Sequence, residues 1–308
     1  MPLTASNSLP DPPAAAFDAL VGGGVARREL DRGGRFLRWL EAGSAAPAVV
    51  FETGIGSPST TWAVVFAALA PDHRVLAYDR AGYGASDPAA VSLDGQLADL
   101  IAVAESAGPE PCVLVGHSWG GLLVQLAAWR RPDLVAGLVL VDPSHESLWL
   151  RPPEPAAVRE WARYSDPAAP PRADPRSADV SSSAEELDRE VARGASDDPA
   201  VRALLLDAGR WYLATDEQLR MHLDEFPMVL HHLDELADRR RTAVWPKVPV
   251  VTLTATKGRP PLYVPPVLAA QEQLAAVAGG RHVVVPDSGH HIHVDRPDLV
   301  IRSIRDVC

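Results

Sequence analysis

Ser118 stands in the pentapeptide Gly116-His117-Ser118-Trp119-Gly120, a G-x-S-x-G spacing that suits a nucleophile. A glycine two residues away on either side leaves room for a sharp turn in which the serine takes a strained backbone conformation. The apolar run Cys112-Val113-Leu114-Val115 precedes the turn, and an apolar, helix-like run from Leu122 to Trp129 follows it. Strand, tight turn and helix is the context the motif requires, and it holds the hydroxyl above a sheet end with a helix N-terminus behind it. A serine hydroxyl is a poor nucleophile at neutral pH. It needs a base to take its proton, a third group to hold that base in one tautomer, and donors for the charge that develops on a carbonyl oxygen. The chemistry in prospect is acyl transfer.

Candidates for each role are present. The base is sought among His290, His291 and His293, which follow Pro286-Asp287-Ser288-Gly289. Ser288-Gly289 lets the chain turn sharply and favours His290, while His291 and His293 read as core or surface histidines. Three histidines within four residues of one loop converge poorly on an ion, so no metal is expected. The amide of Trp119, beside the nucleophile at a helix N-terminus, is one oxyanion donor. The second is expected from Ile55, between Gly54 and Gly56 in the turn after Ala48-Val49-Val50-Phe51-Glu52.

The elements that must position these groups alternate along the chain. Val25 to Asp31 and Arg35 to Leu40 flank Arg32-Gly33-Gly34 and read as a hairpin. Strands follow at Ala48 to Glu52, Arg74 to Tyr78, Cys112 to Val115, Leu138 to Val141, Val248 to Ala255 and Arg281 to Val285. Between them lie helical stretches at Thr61 to Leu69, at Leu93 to Ala107 (Leu93, Leu97, Leu100, Ile101 and Ala104 on one face) and at Leu122 to Trp129; a last begins near Pro297. This alternation predicts a mostly parallel, eight-stranded α/β sheet flanked by helices, with ligands at the strand carboxyl ends, where the glycine-rich turns fall.

From Pro143 to about Trp245 the character changes to Pro, Arg, Asp and Glu-rich, with helical pieces around Ala184 to Arg193, Ala200 to Tyr212 and Asp216 to Leu236. The domain expectation is therefore a core over 21–142 and 246–308, a helical insertion over 143–245, and a flexible tail over 1–20. Tryptophans Trp149, Trp161, Trp211 and Trp245 lie in or beside the insertion and read as packing against the main body.

Composition bounds the partners. Of 308 residues, 29 are Lys or Arg and 40 are Asp or Glu, giving a formal charge of −11, which argues against a nucleic-acid partner. Two cysteines, Cys112 and Cys308, make no disulfide framework. No basic-then-apolar leader and no stretch of about eighteen apolar residues is present, so the expectation is a cytoplasmic protein without a membrane span.

Four segments in order carry a resemblance: Glu52-Thr53-Gly54-Ile55-Gly56, Asp79-Arg80-Ala81-Gly82-Tyr83-Gly84-Ala85-Ser86-Asp87, Gly116-His117-Ser118-Trp119-Gly120-Gly121, and Ser288-Gly289-His290 with Asp295-Arg296-Pro297. From about Val25 to its end the chain resembles the α/β-hydrolase fold superfamily, in its capped, esterase- or aminopeptidase-like serine-hydrolase subgroup with a helical cap inserted after strand 6. The resemblance implies Ser118 as nucleophile and His290 as base. In most of that family the triad acid follows the seventh strand, yet Pro246 to Pro266 contains no Asp or Glu, and Lys257 and Arg259 occupy the loop. Some members place the acid after the sixth strand, which here is Asp142; the alternative for Asp142 is a cap on the turn Pro143-Ser144-His145.

The set of Ser118, His290 and Asp142 with two oxyanion donors leads to the expectation of a small-molecule acyl or ester substrate and no cofactor, while the resemblance itself says little about substrate. It also admits a C–C bond hydrolase, a prolyl aminopeptidase (which would need cap carboxylates such as Glu185, Glu186, Asp224 or Glu225 for an amine) and a non-catalytic ligand receptor. Acidic residues on a cap are ordinarily its solvated face. Asp79 and Arg80 read as structural, Asp295 as a brace for the histidine loop, His117 as packed under the elbow, and His145 as a surface histidine. Glu52 has no role assigned from sequence.

Overall fold

The computed structural model describes residues 11–151, 178–212 and 214–308. Eight strands form one sheet: β1 (Ala26–Asp31), β2 (Phe36–Ala42), β3 (Val49–Glu52), β4 (Val75–Tyr78), β5 (Cys112–His117), β6 (Val135–Val141), β7 (Val250–Ala255) and β8 (Arg281–Val285). Their spatial order is β1-β2-β4-β3-β5-β6-β7-β8. β2 runs antiparallel to β1 and β4, and every other pair is parallel. The chain winds outward one way from β3 to β4 and the other way from β5 to β6, so the crevice of an open α/β sheet falls between the carboxyl ends of β3 and β5. Register pairs Phe51 with Val115 and Glu52 with Gly116, which sets the turn after β3 beside the turn that carries Ser118.

The inner strands are largely apolar because both faces are covered. Successive residues point to opposite sides. Val49, Phe51, Val113, Val115, Val139 and Val141 join one buried cluster, which includes Phe17, Phe66 and Ile304 of the helices Pro12–Val21, Ala63–Leu69 and Pro297–Val307. Val50, Leu114, Leu138 and Leu140 join the other, with Leu97, Leu123 and Leu274 of the helices Leu93–Ser106, Trp119–Arg130 and Val264–Val277. The last of these links β7 to β8 and was not foreseen from the sequence.

Of the expected flexible tail over 1–20, residues 1–10 lie outside the described residues, and the remainder departs from that expectation. Pro12–Val21 is a helix, with Asp11 accepting from the Ala14 amide at 3.1 Å, prolines at its start and Gly22 closing it at φ 84°. Phe17 is fully buried edge-on against Phe66, with ring centroids 4.8 Å apart. The Asp-Pro start and Gly stop were legible, but an Ala-rich helix of ten residues is not stable alone. Its partners, Ala63–Leu69 and the distant Pro199–Tyr212, supply the packing.

Between β6 and β7 the described residues form the helices Glu146–Leu150, Ala178–Ala195, Pro199–Tyr212, Asp216–His231 and Leu233–Thr242. Residues Val191, Ala192, Leu205 and Ala208 join the first cluster, and Met228, Val229 and Leu236 the second. The insertion thus straddles the sheet. Trp149 and Trp245 pack against the second cluster, whereas Trp161 lies outside the described residues. Among the described residues no helix is long and apolar enough to cross a membrane.

Candidate active site

Two residues other than glycine have positive φ among those described: Ser118 at 52° and Asp142 at 44°. Such strain in side-chain-bearing residues persists where the surroundings over-determine it, and it concentrates at functional sites. Here the surroundings are visible. Helix Trp119–Arg130 lies close over the turn after β3, since a Cβ on Gly120 would stand 2.4 Å from the Thr53 carbonyl and 2.6 Å from that of Glu52. A Cβ on Gly116 would stand 2.4 Å from the Gly120 carbonyl. The Ser118 amide donates to the Val141 carbonyl at 3.0 Å, and the Ser144 amide donates to the Ser118 carbonyl at 2.8 Å. The Ser118 turn and the Asp142 turn therefore hold each other.

Asp142 is buried, and its Oδ2 lies 2.5 Å from His290 Nδ1. A carboxylate accepts, so the imidazole proton sits on Nδ1 and the lone pair on Nε2. Oδ1 of Asp142 accepts from the Ala255 amide at 3.2 Å, and its own amide donates to the Leu253 carbonyl at 2.8 Å. Arg259, in the loop after β7, donates through Nη2 to the same Oδ2 and through Nε to the Ala255 carbonyl at 2.9 Å. The β7 loop supplies a cation that clamps the acid of the β6 loop. The Ser118 hydroxyl lies 3.5 Å from Ser144 Oγ.

The His290 loop is anchored from both sides. Asp295 accepts from the Gly289 amide at 2.7 Å and the Ser288 hydroxyl at 3.2 Å, the bracing expected of it. His117, buried beneath the elbow, places Nε2 3.0 Å from the His290 carbonyl. His293 is fully buried and stacks on Trp62, ring centroids 4.2 Å apart. Burial holds the pKa values of His117 and His293 well below the ordinary value and takes His291 to about 4, so these three imidazoles are neutral beside His290. Among the described residues no group of three or more His, Cys, Asp or Glu is arranged to hold a metal ion.

His145 is not the surface residue expected. It is buried, accepts from Ser147 Oγ at Nδ1 over 2.9 Å, and burial, with Arg240 adding, lowers its pKa to about 4. A buried imidazole with a depressed pKa refuses a proton that the unfolded chain accepts near 6.5. Its stabilising contribution is therefore whole above that value and lost as pH falls toward about 4. Urea unfolding is expected to show wild type losing more stability than His145→Asn between about pH 7 and about pH 5. Equal losses would place the proton elsewhere.

The unassigned Glu52 and the supposedly solvated Glu225 meet at Arg80. Both carboxylates are buried and ion-paired to that guanidinium, Glu52 Oε1 to Nη1 at 2.7 Å and Glu225 Oε1 to Nε at 2.8 Å. Burial raises the Glu52 pKa, with Arg80 pulling it back. Burial likewise opposes the Arg80 charge, but Glu225 and Glu52 outweigh it and hold the guanidinium ionised. The neighbouring Asp79 binds the Tyr212 hydroxyl of the insertion at 2.5 Å. Arg80 and Asp79 tie the turn after β4 to its neighbours, as expected. The burial of Glu225 was hidden because its partners lie about 130 to 170 residues away in the chain.

The sequence profile described as the alpha/beta hydrolase family matches residues 49–303. A Pseudomonas savastanoi protein provisionally named carbamate hydrolase RutD is 39% identical over 100 residues, 32% of this chain and 39% of that protein. Mouse epoxide hydrolase 4 is 31% identical over 144 residues, 45% of this chain and 40% of that protein. The chain thus spans about two fifths of the length of these curated relatives. Among solved structures, Cfl2 from Burkholderia cenocepacia superposes with a TM-score of 0.68 at 22% identity, covering 92% of this chain and 96% of that one. That likeness is one of fold.

Proposed function

Because this chain belongs to the alpha/beta hydrolase family, we propose that it is a serine hydrolase that cleaves a carboxylic ester or a related acyl bond. The observation that carries the reading is the pair of strained residues, Ser118 and Asp142, with Asp142 held on His290 Nδ1. In this mechanism His290 Nε2 takes the Ser118 proton as Oγ attacks the acyl carbon. The carbonyl oxygen becomes an oxyanion facing the amides of Ile55 and Trp119, and Asp142 stabilises the imidazolium. Collapse of the intermediate expels the alcohol, which takes the proton from His290 and leaves the acyl group on Oγ. Water, deprotonated by the same imidazole, then attacks the acyl carbon and releases the acid and the free hydroxyl. The insertion over 143–245 would roof this pocket and select a small-molecule substrate. Neither a metal nor an organic cofactor is required by the scheme.

Serine itself favours acyl chemistry over the epoxide opening named for one relative. A serine oxygen that opened an epoxide would be left in a dialkyl ether, which offers water no carbonyl carbon to attack. An ester or carbamate leaves an acyl or carbamoyl serine, which does. The prolyl aminopeptidase reading loses one of its amine-binding carboxylates, because Glu225 is committed to Arg80.

Hydrolysis of p-nitrophenyl esters of increasing acyl length, an aryl carbamate and a prolyl anilide separates the classes. Turnover of an ester or carbamate with a defined chain-length optimum is expected. Turnover confined to the prolyl anilide would replace the ester reading, and tight binding without any product would favour a receptor.

A further inference from the structure

Glu225, on the insertion helix Asp216–His231, is fully buried beside the turn after β3. Its Oε1 accepts from Arg80 Nε at 2.8 Å and Gln96 Nε2 at 2.7 Å. Its Oε2 accepts from Arg80 Nη2 at 2.9 Å, the Tyr83 hydroxyl at 2.8 Å and the Gly56 amide at 2.9 Å. Every partner donates, and Arg80 is gripped by two parallel bonds, an arrangement that fixes both groups in one orientation. The far edge of the same guanidinium donates from Nη1 to the Thr53 carbonyl and from Nη2 to the Gly54 carbonyl, each at 2.7 Å.

That last bond bears on chemistry. A peptide is planar and trans, so its N–H points opposite to its C=O. With the Gly54 carbonyl turned onto Arg80, the Ile55 N–H is directed away from Arg80. The nucleophile is close by: a Cβ on Gly54 would stand 3.3 Å from Ser118 Cβ. If the Gly54–Ile55 peptide flipped, a carbonyl would replace the donor. The side chain of Trp119, whose backbone amide is the other proposed donor, is tied to the same network, since its Nε1 donates to Gln96 Oε1 at 2.8 Å and Gln96 in turn donates to Glu225.

The geometry points to Glu225 as a positioning residue: by clamping Arg80 and the Gly56 amide, this insertion carboxylate holds the Ile55 amide in the orientation that receives the oxyanion. Docking of this insertion helix and completion of the oxyanion site are then one event. The inference rests on the serine-hydrolase reading, and the insertion has a second anchor that serves as its control. The Tyr212 hydroxyl bonds to Asp79 and Ser59 rather than to the Thr53–Gly56 turn.

Glu225→Gln, which turns one acceptor into a donor among donors, and Tyr212→Phe are compared with wild type for kcat, KM, thermal midpoint and the rate of Ser118 labelling by a fluorophosphonate. Both are expected to lower the thermal midpoint. Glu225→Gln alone is expected to lose on the order of 10²-fold in kcat and in labelling rate with KM changed little, the size of effect seen when one oxyanion donor is lost. Equal kcat losses in the two variants, or a loss confined to KM, would overturn the positioning role and leave Glu225 a plain anchor. If Glu225→Gln does not fold, Tyr83→Phe removes one donor from the same carboxylate and should lower kcat by less than about 10²-fold with KM changed little; unchanged kcat there overturns the inference too. Failure of wild type to be labelled at Ser118 would instead sink the serine-hydrolase reading itself.

Discussion

Ser118→Ala is expected to lose on the order of 10⁵-fold in kcat on whichever activated ester proves best, with KM changed by no more than a few-fold. In the proposed mechanism the substitution removes the atom that forms the acyl bond and no group assigned to substrate binding. Its backbone cost is small in comparison, because alanine carries the same Cβ at the positive φ that serine already adopts. Thermal unfolding should confirm an intact fold. What remains should be the rate supplied by binding and by the two amides alone. Fluorophosphonate labelling, present in wild type, must vanish. A variant that kept a tenth of wild-type turnover would show that water or another side chain is the nucleophile, and the acyl-enzyme scheme would fall.

Asp142→Asn should be the second most damaging change, costing about 10²- to 10⁴-fold in kcat. Two mechanisms contribute, and Arg259 separates them. The amide can present its NH₂ to Arg259 and His290 or to the Ala255 amide, donor against donor in either case. Arg259 donates to the Oδ2 position, so it favours keeping the amide carbonyl there. That preserves the proton on His290 Nδ1 and leaves only the loss of negative charge beside the imidazolium. With Arg259→Met added, the amide is free to turn its NH₂ toward His290. The imidazole then takes the other tautomer, with no lone pair for the Ser118 proton. The double variant should therefore fall further than the product of the two single effects, a coupling that a double-mutant cycle reads directly. A near-normal Asp142→Asn would return Asp142 to the role of a turn cap.

Much of this site was legible because its signals are local. G-x-S-x-G needs only five consecutive residues and a strand and helix on either side, and the structure puts Ser118 between β5 and helix Trp119–Arg130 at φ 52°. Ser288-Gly289-His290 and the Ile55 turn are local in the same sense, as are the alternating strands and helices. Asp142 was reached by elimination within a family pattern, and the structure adds the strained φ of 44° and the 2.5 Å approach to His290.

Residue types, spacing and periodicity thus determined the sheet, the order of its turns and the candidate nucleophile and base, because each is written within one or two elements. Tertiary structure alone decided the rest. Phe66 and the helix Pro199–Tyr212 make a helix of a segment that alone would be too short to persist. Arg259 becomes the clamp on Asp142 from 117 residues away. Glu225 becomes a fully buried carboxylate of the insertion because Arg80, Tyr83, Gln96 and Gly56 converge on it across the fold. Burying a charge is costly unless donors surround it, and no local window of sequence reveals whether distant donors will arrive.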